Sequence, residues 1–422
     1  MTSEFKYLMN LVGNSAQGKT PAMPPDSLDW NRQYRLSNEQ TVSTLFAYAL
    51  KTNPSIPCPV QLRDSAITSM QGAAINNYMR RQRILALLHL FEEQGIHAVL
   101  LKGYAVAVEY CSPECRVSAD TDVWVAPTEE QRACELLKRQ GFTVEPRWKN
   151  GHHAVCHHPT MGCVELHVIL YDEIVEDVWF NRMDGSEFVQ EPNEKMDCET
   201  DSYYTLGKTD HLIFLTLHMV KHFIISGMSL RMMLDVALFI KNHSSEVDNE
   251  RFWNTMRSLK YDRCVNTILW TMVLYAGFAE SDFIGISSTA PDNITEILDD
   301  LEVGGSMGIK DKENREDGWR AFNREKLMQS KGGIAYKLYM IKWQSSSYMK
   351  ALFPDSAELA KRYPYINKQP ILIPYAWLNR LIVRGFGMLR RGEIRRHIVS
   401  DENKLAVSGI ERFELFRRLG ML

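Results

Sequence analysis

The chain has 422 residues, 45% of them hydrophobic and 24% charged, a balance that fits one to three globular domains with ample apolar material for a core. A formal net charge of −3 argues against a dominant nucleic-acid surface, and the longest apolar candidate, His211 to Val220, falls far short of the roughly 20 residues that span a bilayer. Eight cysteines over this length do not make a disulfide framework, so a reduced, cytoplasmic chain is expected.

The N-terminal Met1-Thr-Ser-Glu-Phe-Lys6 has no basic segment leading into an apolar stretch and does not read as a signal peptide. Residues 1–36 are polar, with Pro21, Pro24 and Pro25 close together, and read as a loose lead-in. A helix is expected from Glu39 to Lys51. A longer one follows from about Asp64 to Gly95, with Ile84, Leu87, Leu88 and Phe91 at three- and four-residue spacing. The period then changes. Ala98 to Leu101 reads as a buried strand, Tyr104 to Tyr110 as a short helix and Thr121 to Ala126 as a second strand. Thr128 is the expected cap of a helix running to Gln140. Strands follow at Phe142 to Glu145, Ala154 to His157 and Cys163 to Leu170, the last two joined by hairpin-loop chemistry at 158–162.

From Thr209 the pattern is helical, with candidates at 209–225, 229–242, 248–258, 262–277, 291–301, 317–328 and 334–349. Residues 303–316 read as a polar connector, and Pro354, Pro364, Pro370 and Pro374 break up the next stretch. Two last helices, 376–397 and 408–419, are rich in arginine. The fold class is α+β: a small mixed sheet over 96–200, between an N-terminal helical segment (1–95) and a larger α-helical region (201–422).

Asp120 and Asp122 stand two apart on a strand, so both side chains share one face while Thr121, Val123 and Val125 face a core. Glu165 and His167 repeat that geometry within Val164-Glu-Leu-His-Val168. Three carboxylates on one sheet face repel one another, and a divalent cation relieves the repulsion. Magnesium, or manganese, suits such oxygen donors and keeps positions for water and phosphate. Two ions so held activate an attacking hydroxyl and stabilise leaving pyrophosphate. The bland alternative is a solvated sheet face. An acidic residue inside the apolar 163–170 run is costly unless paired or metal-bound, and this favours the metal site. Lys102-Gly103 lies at a strand-to-helix turn, where glycine admits a phosphate and Lys102 neutralises it; Arg116 is a second phosphate candidate, with a surface salt bridge as its alternative.

Taken together, Val99-Leu-Leu-Lys-Gly-Tyr104, Arg116-Val-Ser-Ala-Asp-Thr-Asp-Val-Trp-Val125 and Val164-Glu-Leu-His167 resemble an uncharacterised bacterial nucleotidyltransferase family of the polymerase-β-like superfamily. The likeness extends to Leu217-His-Met-Val-Lys-His222 and Leu230-Arg-Met-Met-Leu-Asp235, and toward Pro370. It implies a nucleotidyltransferase fold and metal-dependent transfer of a nucleoside monophosphate from a nucleotide triphosphate. Lys102-Gly103 stands where the superfamily usually has Gly-Ser, and Glu165 where an aspartate is common.

His218 and His222 share a helix face beside Lys221, and Arg231 and Asp235 are similarly spaced on the next helix. Either this pair closes over the nucleotide, with Lys221 or Arg231 near phosphate, or it forms a buried polar network clamping two helices. Cys111 and Cys115 together with His152, His153, Cys156, His157 and His158 invite a zinc site, but the spacing is irregular and a strand sends Cys156 and His157 to opposite faces. The histidines would then border the cleft instead. Arg380, Arg384, Arg390, Arg391, Arg395 and Arg396 offer a face for RNA or an acidic partner, or simply for solvent. The leading expectation is nucleotidyl transfer to an unknown acceptor: a small molecule, RNA or protein. The alternatives are a non-catalytic nucleotide- or partner-binding module and a metal-dependent glycosyltransferase.

Overall fold

The computed structural model describes residues 1–118, 120–145, 147, 153–170, 189–198, 201–225, 227–304, 363, 372–373 and 414–421. Four helices come first: α1 (Ser3–Ala16), α2 (Trp30–Glu39), α3 (Ser43–Thr52) and α4 (Val60–Glu93). The α/β part follows as β1 (Ala98–Leu100), α5 (Tyr104–Ala107), β2 (Asp120–Val125), α6 (Glu130–Arg139), β3 (Thr143–Glu145), β4 (His153–His158), β5 (Gly162–His167), β6 (Glu194–Cys198) and β7 (Asp201–Thr205). Helices α7 (Lys208–Ile225), α8 (Leu230–Asn242), α9 (Asn249–Ser258), α10 (Asp262–Tyr275) and α11 (Ile294–Gly304) complete it. The chain is thus α+β, with a mixed sheet and helical segments on either side in sequence. Among the described residues no helix is long and apolar enough to cross a membrane.

The loose lead-in expected over residues 1–36 is instead two helices separated by the proline segment. Phe5, Leu8, Met9 and Val12 follow the three-and-four spacing of an amphipathic helix and are wholly buried. The Thr2 hydroxyl accepts from the Phe5 backbone N–H and caps α1. Polar residues around the prolines mask this short apolar stripe in a coarse reading. Thr128 is not a helix cap; it sits in a 3-10 turn, Pro127–Glu129, and α6 begins at Glu130.

Among the described residues the strands form one sheet in the order β3-β4-β5-β2-β1-β7-β6. Strands β2 and β5 run parallel, β1 and β2 antiparallel, and β1 and β7 parallel. The hairpin β6–β7 was not expected: the last strand read from the sequence ends at Leu170, and the sheet continues to Thr205. Its first strand, Glu194-Lys-Met-Asp-Cys198, is a half-exposed edge whose polar composition gives a weak period-two signal. Its second places Tyr203 against Tyr104, with ring centroids 5.6 Å apart.

Two cores hold the sheet. On one face Leu100, Val123, Val125, Val164 and Leu166 pack with Ile84, Leu88 and Phe91 of α4 and Leu137 of α6. Each such fully buried side chain contributes about 1.5–3 kcal/mol against exposure. The larger core joins α1–α3 to α7–α11 and takes in Val99 and Leu101 from the opposite side of β1. Helix α4 links the two, with Ala66 and Met70 in the larger core and its C-terminal turns under the sheet. The sheet face carrying Asp120 and Asp122 therefore looks toward the helices.

The polar connector expected at 303–316 begins inside α11 and otherwise lies outside the described residues, as do the helices read at 317–328, 334–349 and 376–397, the proline-broken stretch apart from 363 and 372–373, and the arginines from Arg380 to Arg396. Of the final helix, 414–418 is described and helical.

Candidate active site

Pairing of β2 with β5 sets the geometry. Because the strands are parallel and in register, Asp120 stands opposite Cys163, Asp122 opposite Glu165 and Trp124 opposite His167. Residues in register share a face. One oxygen from each of Asp120, Asp122 and Glu165 lies within 4.8 Å of the others. Asp122 is wholly buried. Its Oδ1 accepts from Lys102 Nζ at 2.9 Å and faces His167 Nε2 at 3.0 Å. Its Oδ2 is buried without a hydrogen-bond partner among the described residues. Burial alone would push this carboxyl up, but Lys102 and His167 together hold it far below the usual carboxylate range. Glu165 is pushed up by burial and pulled back further by His167, so it too is lowered. The Ser118 hydroxyl lies 3.1 Å from Asp120 Oδ1.

An ionised carboxylate with one buried, unsatisfied oxygen is costly, by several kcal/mol, unless something positive meets it. A divalent cation shared with Asp120 and Glu165 meets it with the oxygen donors such ions prefer. The donor set therefore fits magnesium or manganese.

Lys102 follows β1 directly. The end of that strand is pinned by His211, whose Nε2 lies 2.8 Å from the Leu101 carbonyl and whose Nδ1 lies 3.2 Å from Thr205 Oγ1. Gly103 then turns the chain at φ 70° and ψ −115°, a conformation that only glycine adopts without strain. Lys102 Nζ also lies 2.8 Å from His218 Nε2, and His222 Nε2 is 3.2 Å from the same nitrogen. Burial, then the neighbouring cations, keeps both imidazoles neutral: His222 is pushed down to about 3 and His218 well below its ordinary value.

Arg116 is not at the surface. It makes a bidentate pair with Asp235, Nε to Oδ1 at 2.9 Å and Nη2 to Oδ2 at 2.7 Å. The Tyr110 hydroxyl donates to Asp235 Oδ1 at 2.6 Å. Asp235 thus pairs with Arg116 rather than with Arg231, whose Nε donates to Thr41 Oγ1 at 3.2 Å. The buried network read for α8 exists, but it ties that helix to the segment leading into β2. The third guanidinium nitrogen of Arg116, Nη1, has no hydrogen-bond partner among the described residues.

These groups border a cleft of about 420 Å³. Lys102, Arg116 and Arg231 line it together with Asp120 and Asp122, and His218 and His222 close one side. Tyr34, Asn38, Ser43, Thr44 and Met70 give the remaining wall an uncharged character. The volume lies within the range usual for small-molecule sites. Gly103 opens instead on a smaller neighbouring cavity of about 50 Å³, which it shares with Asp120. Glu165 and Lys221 do not line the larger cleft; the charge of Lys221 is felt at His153, His218 and His222.

Sequence reasoning missed Arg80 of α4. Its Nη1 donates to the Ser118 carbonyl at 2.5 Å, and its Nη2 to Thr121 Oγ1 at 3.2 Å and the Cys163 carbonyl at 3.3 Å, tying the starts of β2 and β5 together. Nothing in the spacing of a long polar helix face marks that arginine. The zinc arrangement does not assemble among the described residues. Cys111 faces Tyr48 at 3.6 Å, Cys115 faces Ser112 at 3.4 Å, and Cys156 is buried while His157 is exposed. His152 lies outside the described residues. His153 does border the carboxylates, with Nε2 4.0 Å from Glu165 Oε2.

Residues 26–277 match a family described as an uncharacterised nucleotidyltransferase. Neither the curated proteins nor the solved structures contain a match to the chain.

Proposed function

The chain belongs to the uncharacterised nucleotidyltransferase family, and from that premise we propose that it moves the nucleoside monophosphate of a nucleotide triphosphate onto an acceptor hydroxyl, using Mg2+ or Mn2+ held by Asp120, Asp122 and Glu165. The observation that carries this reading is the register of β2 and β5, which gathers the three carboxylate oxygens within 4.8 Å beside a cationic cleft. The bound ion would neutralise phosphate charge and acidify the attacking hydroxyl. Lys102, Arg116 and Arg231 receive the non-bridging phosphate oxygens, and Lys221 adds positive charge beyond the histidines. Arg116 is suited to this because Asp235 fixes its plane while Nη1 remains to donate. The backbone at Gly103 approaches a phosphate with no side chain in the way. Catalysis comes mostly from positioning and charge neutralisation.

In this reading residues 96–200 are the transferase unit, with 1–95 and 201–422 around it. The acceptor is a small molecule, an RNA end or a protein side chain, and the working compartment is the cytoplasm. The glycosyl-transfer alternative calls for a larger α/β nucleotide-binding region ahead of Asp120; among the described residues β1, the four-residue α5 and a 3-10 turn at Pro113–Cys115 stand between α4 and β2.

A second reading has its own support. Lys102 and His167 already neutralise Asp122 Oδ1 within the fold, as they would in a module that binds a nucleotide or a partner without turnover. One experiment separates the two. Each of the four nucleotide triphosphates, labelled at the γ-phosphate, is incubated with magnesium and the wild-type chain or the Asp120→Ala/Asp122→Ala variant. Pyrophosphate release by wild type alone is expected. Equal release by both proteins removes the catalytic role; magnesium-dependent nucleotide binding without release favours the binding module.

A further inference from the structure

Beside the all-oxygen position, a second set of donors converges on Glu165. Strands β4 and β5 pair antiparallel with His153 opposite His167 and Val155 opposite Glu165, so His153, Glu165 and His167 project from one sheet face. His153 Nε2 lies 4.0 Å and His167 Nε2 3.6 Å from the same oxygen, Glu165 Oε2. One ligand atom from each of the three falls within 4.8 Å of the others. These separations exceed the usual N–H···O length of about 2.9 Å. They match the roughly 3–4 Å between ligands that each stand about 2.1 Å from one ion.

We propose that His153, Glu165 and His167 form a second cation position, which takes a transition-series divalent ion such as Mn2+, Co2+ or Zn2+ and shares Glu165 with the all-oxygen position of Asp120 and Asp122. The inference rests on the reading of Glu165 as a metal ligand. It deepens that reading by assigning different ions to the two sides of the residue. Imidazole suits transition ions, whereas magnesium demands oxygen donors and dehydrates reluctantly. The His167 side of the position is nearly closed, at 5% side-chain exposure, while His153 and Glu165 at 22% and 25% leave an entry from solvent. Two imidazoles and one carboxylate leave coordination positions for water or a phosphate oxygen, as an ion acting on substrate requires. His167 Nε2 also faces Asp122 Oδ1 at 3.0 Å, so the two positions share a wall. An ion bound through that nitrogen releases its proton to solvent.

The test uses the full chain and cobalt alone. Equilibrium dialysis gives the number of Co2+ bound, and X-ray absorption at the cobalt edge reports outer-shell scattering from imidazole. Wild type is expected to bind two ions, with imidazole scattering present, and excess Mg2+ should displace one without reducing that signal. His153→Ala should drop the count by one and lose at least half of the imidazole signal. His153→Gln, which keeps a polar side chain of similar reach, controls for a folding defect and should behave the same way. Asp120→Asn should lose only the magnesium-displaceable ion. Unchanged stoichiometry and imidazole scattering in both His153 variants overturn the proposal. Asp120→Asn that binds Mg2+ as wild type does would instead overturn the carboxylate reading, so the two failures are distinct.

Discussion

His211 shows how a single buried side chain sets the position of the catalytic turn. Its Nε2 donates to the Leu101 carbonyl one residue before Lys102. Burial, opposed in part by that backbone bond, pushes its pKa down to about 4. In the unfolded chain an ordinary histidine titrates near 6.5. As pH falls below 6.5 the unfolded state takes up the proton first, so stability is lost between about pH 6.5 and 4. For this one residue the loss between pH 7 and pH 5 is about 2 kcal/mol. His211→Gln keeps a donor near Nε2 but does not titrate. Urea unfolding at the two pH values is expected to show a slope smaller by about that amount in the variant. An identical pH dependence in both proteins would mean that His211 is not held neutral. His218 and His222 act in the same direction, so the wild-type slope exceeds the share of His211 alone.

At the scale of elements, α1 is the part whose role a coarse reading most underrated. It abuts α10 so closely that a Cβ on Gly13 would lie 2.4 Å from the Ala276 carbonyl oxygen. Alanine gains about 1 kcal/mol over glycine in a helix interior. Overpacking against backbone costs about 1–3 kcal/mol and wins where neither helix can shift. Gly13→Ala is therefore expected to lower the unfolding free energy, and Gly72→Ala on the exposed face of α4, with nothing within 4 Å, to raise it by about 0.5–1 kcal/mol. Chemical denaturation of the two variants checks both signs; a stabilised Gly13→Ala would place α1 outside the core. The same element shows what sequence patterns carry. Helix α4, β2 and β5 were legible because each buries an apolar face with a clear period, and β1 because it is a short, wholly buried apolar run. Helix α1 carries that period too, but over a short span beside a proline-rich stretch. The β6–β7 hairpin was illegible because its edge strand, Glu194-Lys-Met-Asp-Cys198, is largely polar, with Met196 and Cys198 half-buried against the core.

At the scale of the whole molecule, the sheet supplies the carboxylates and the helices supply the cations. Asp120 and Asp122 were readable as a pair because both sit on one strand. Their juxtaposition with Glu165 depends on β5 pairing in parallel with β2, a register that no local pattern states. The ion pair of Arg116 with Asp235 spans 119 positions of sequence and brings α8 to the mouth of β2. Spacing within α8 puts Arg231 and Asp235 on one helix face, yet the carboxylate pairs with Arg116. Long-range choices of this kind decide which charged groups face the cleft, and they follow from which helix buries which face.

The central claim is that Asp120, Asp122 and Glu165 hold a divalent cation at the head of this cleft. Anomalous scattering from a crystal of the chain grown with Mn2+ and a non-hydrolysable nucleotide triphosphate tests it most directly. The account predicts a manganese peak about 2.1–2.3 Å from a carboxylate oxygen of each of the three residues, with phosphate oxygens completing its coordination. No manganese peak between the three carboxylates, with Lys102 and His167 still closed on Asp122, would contradict it.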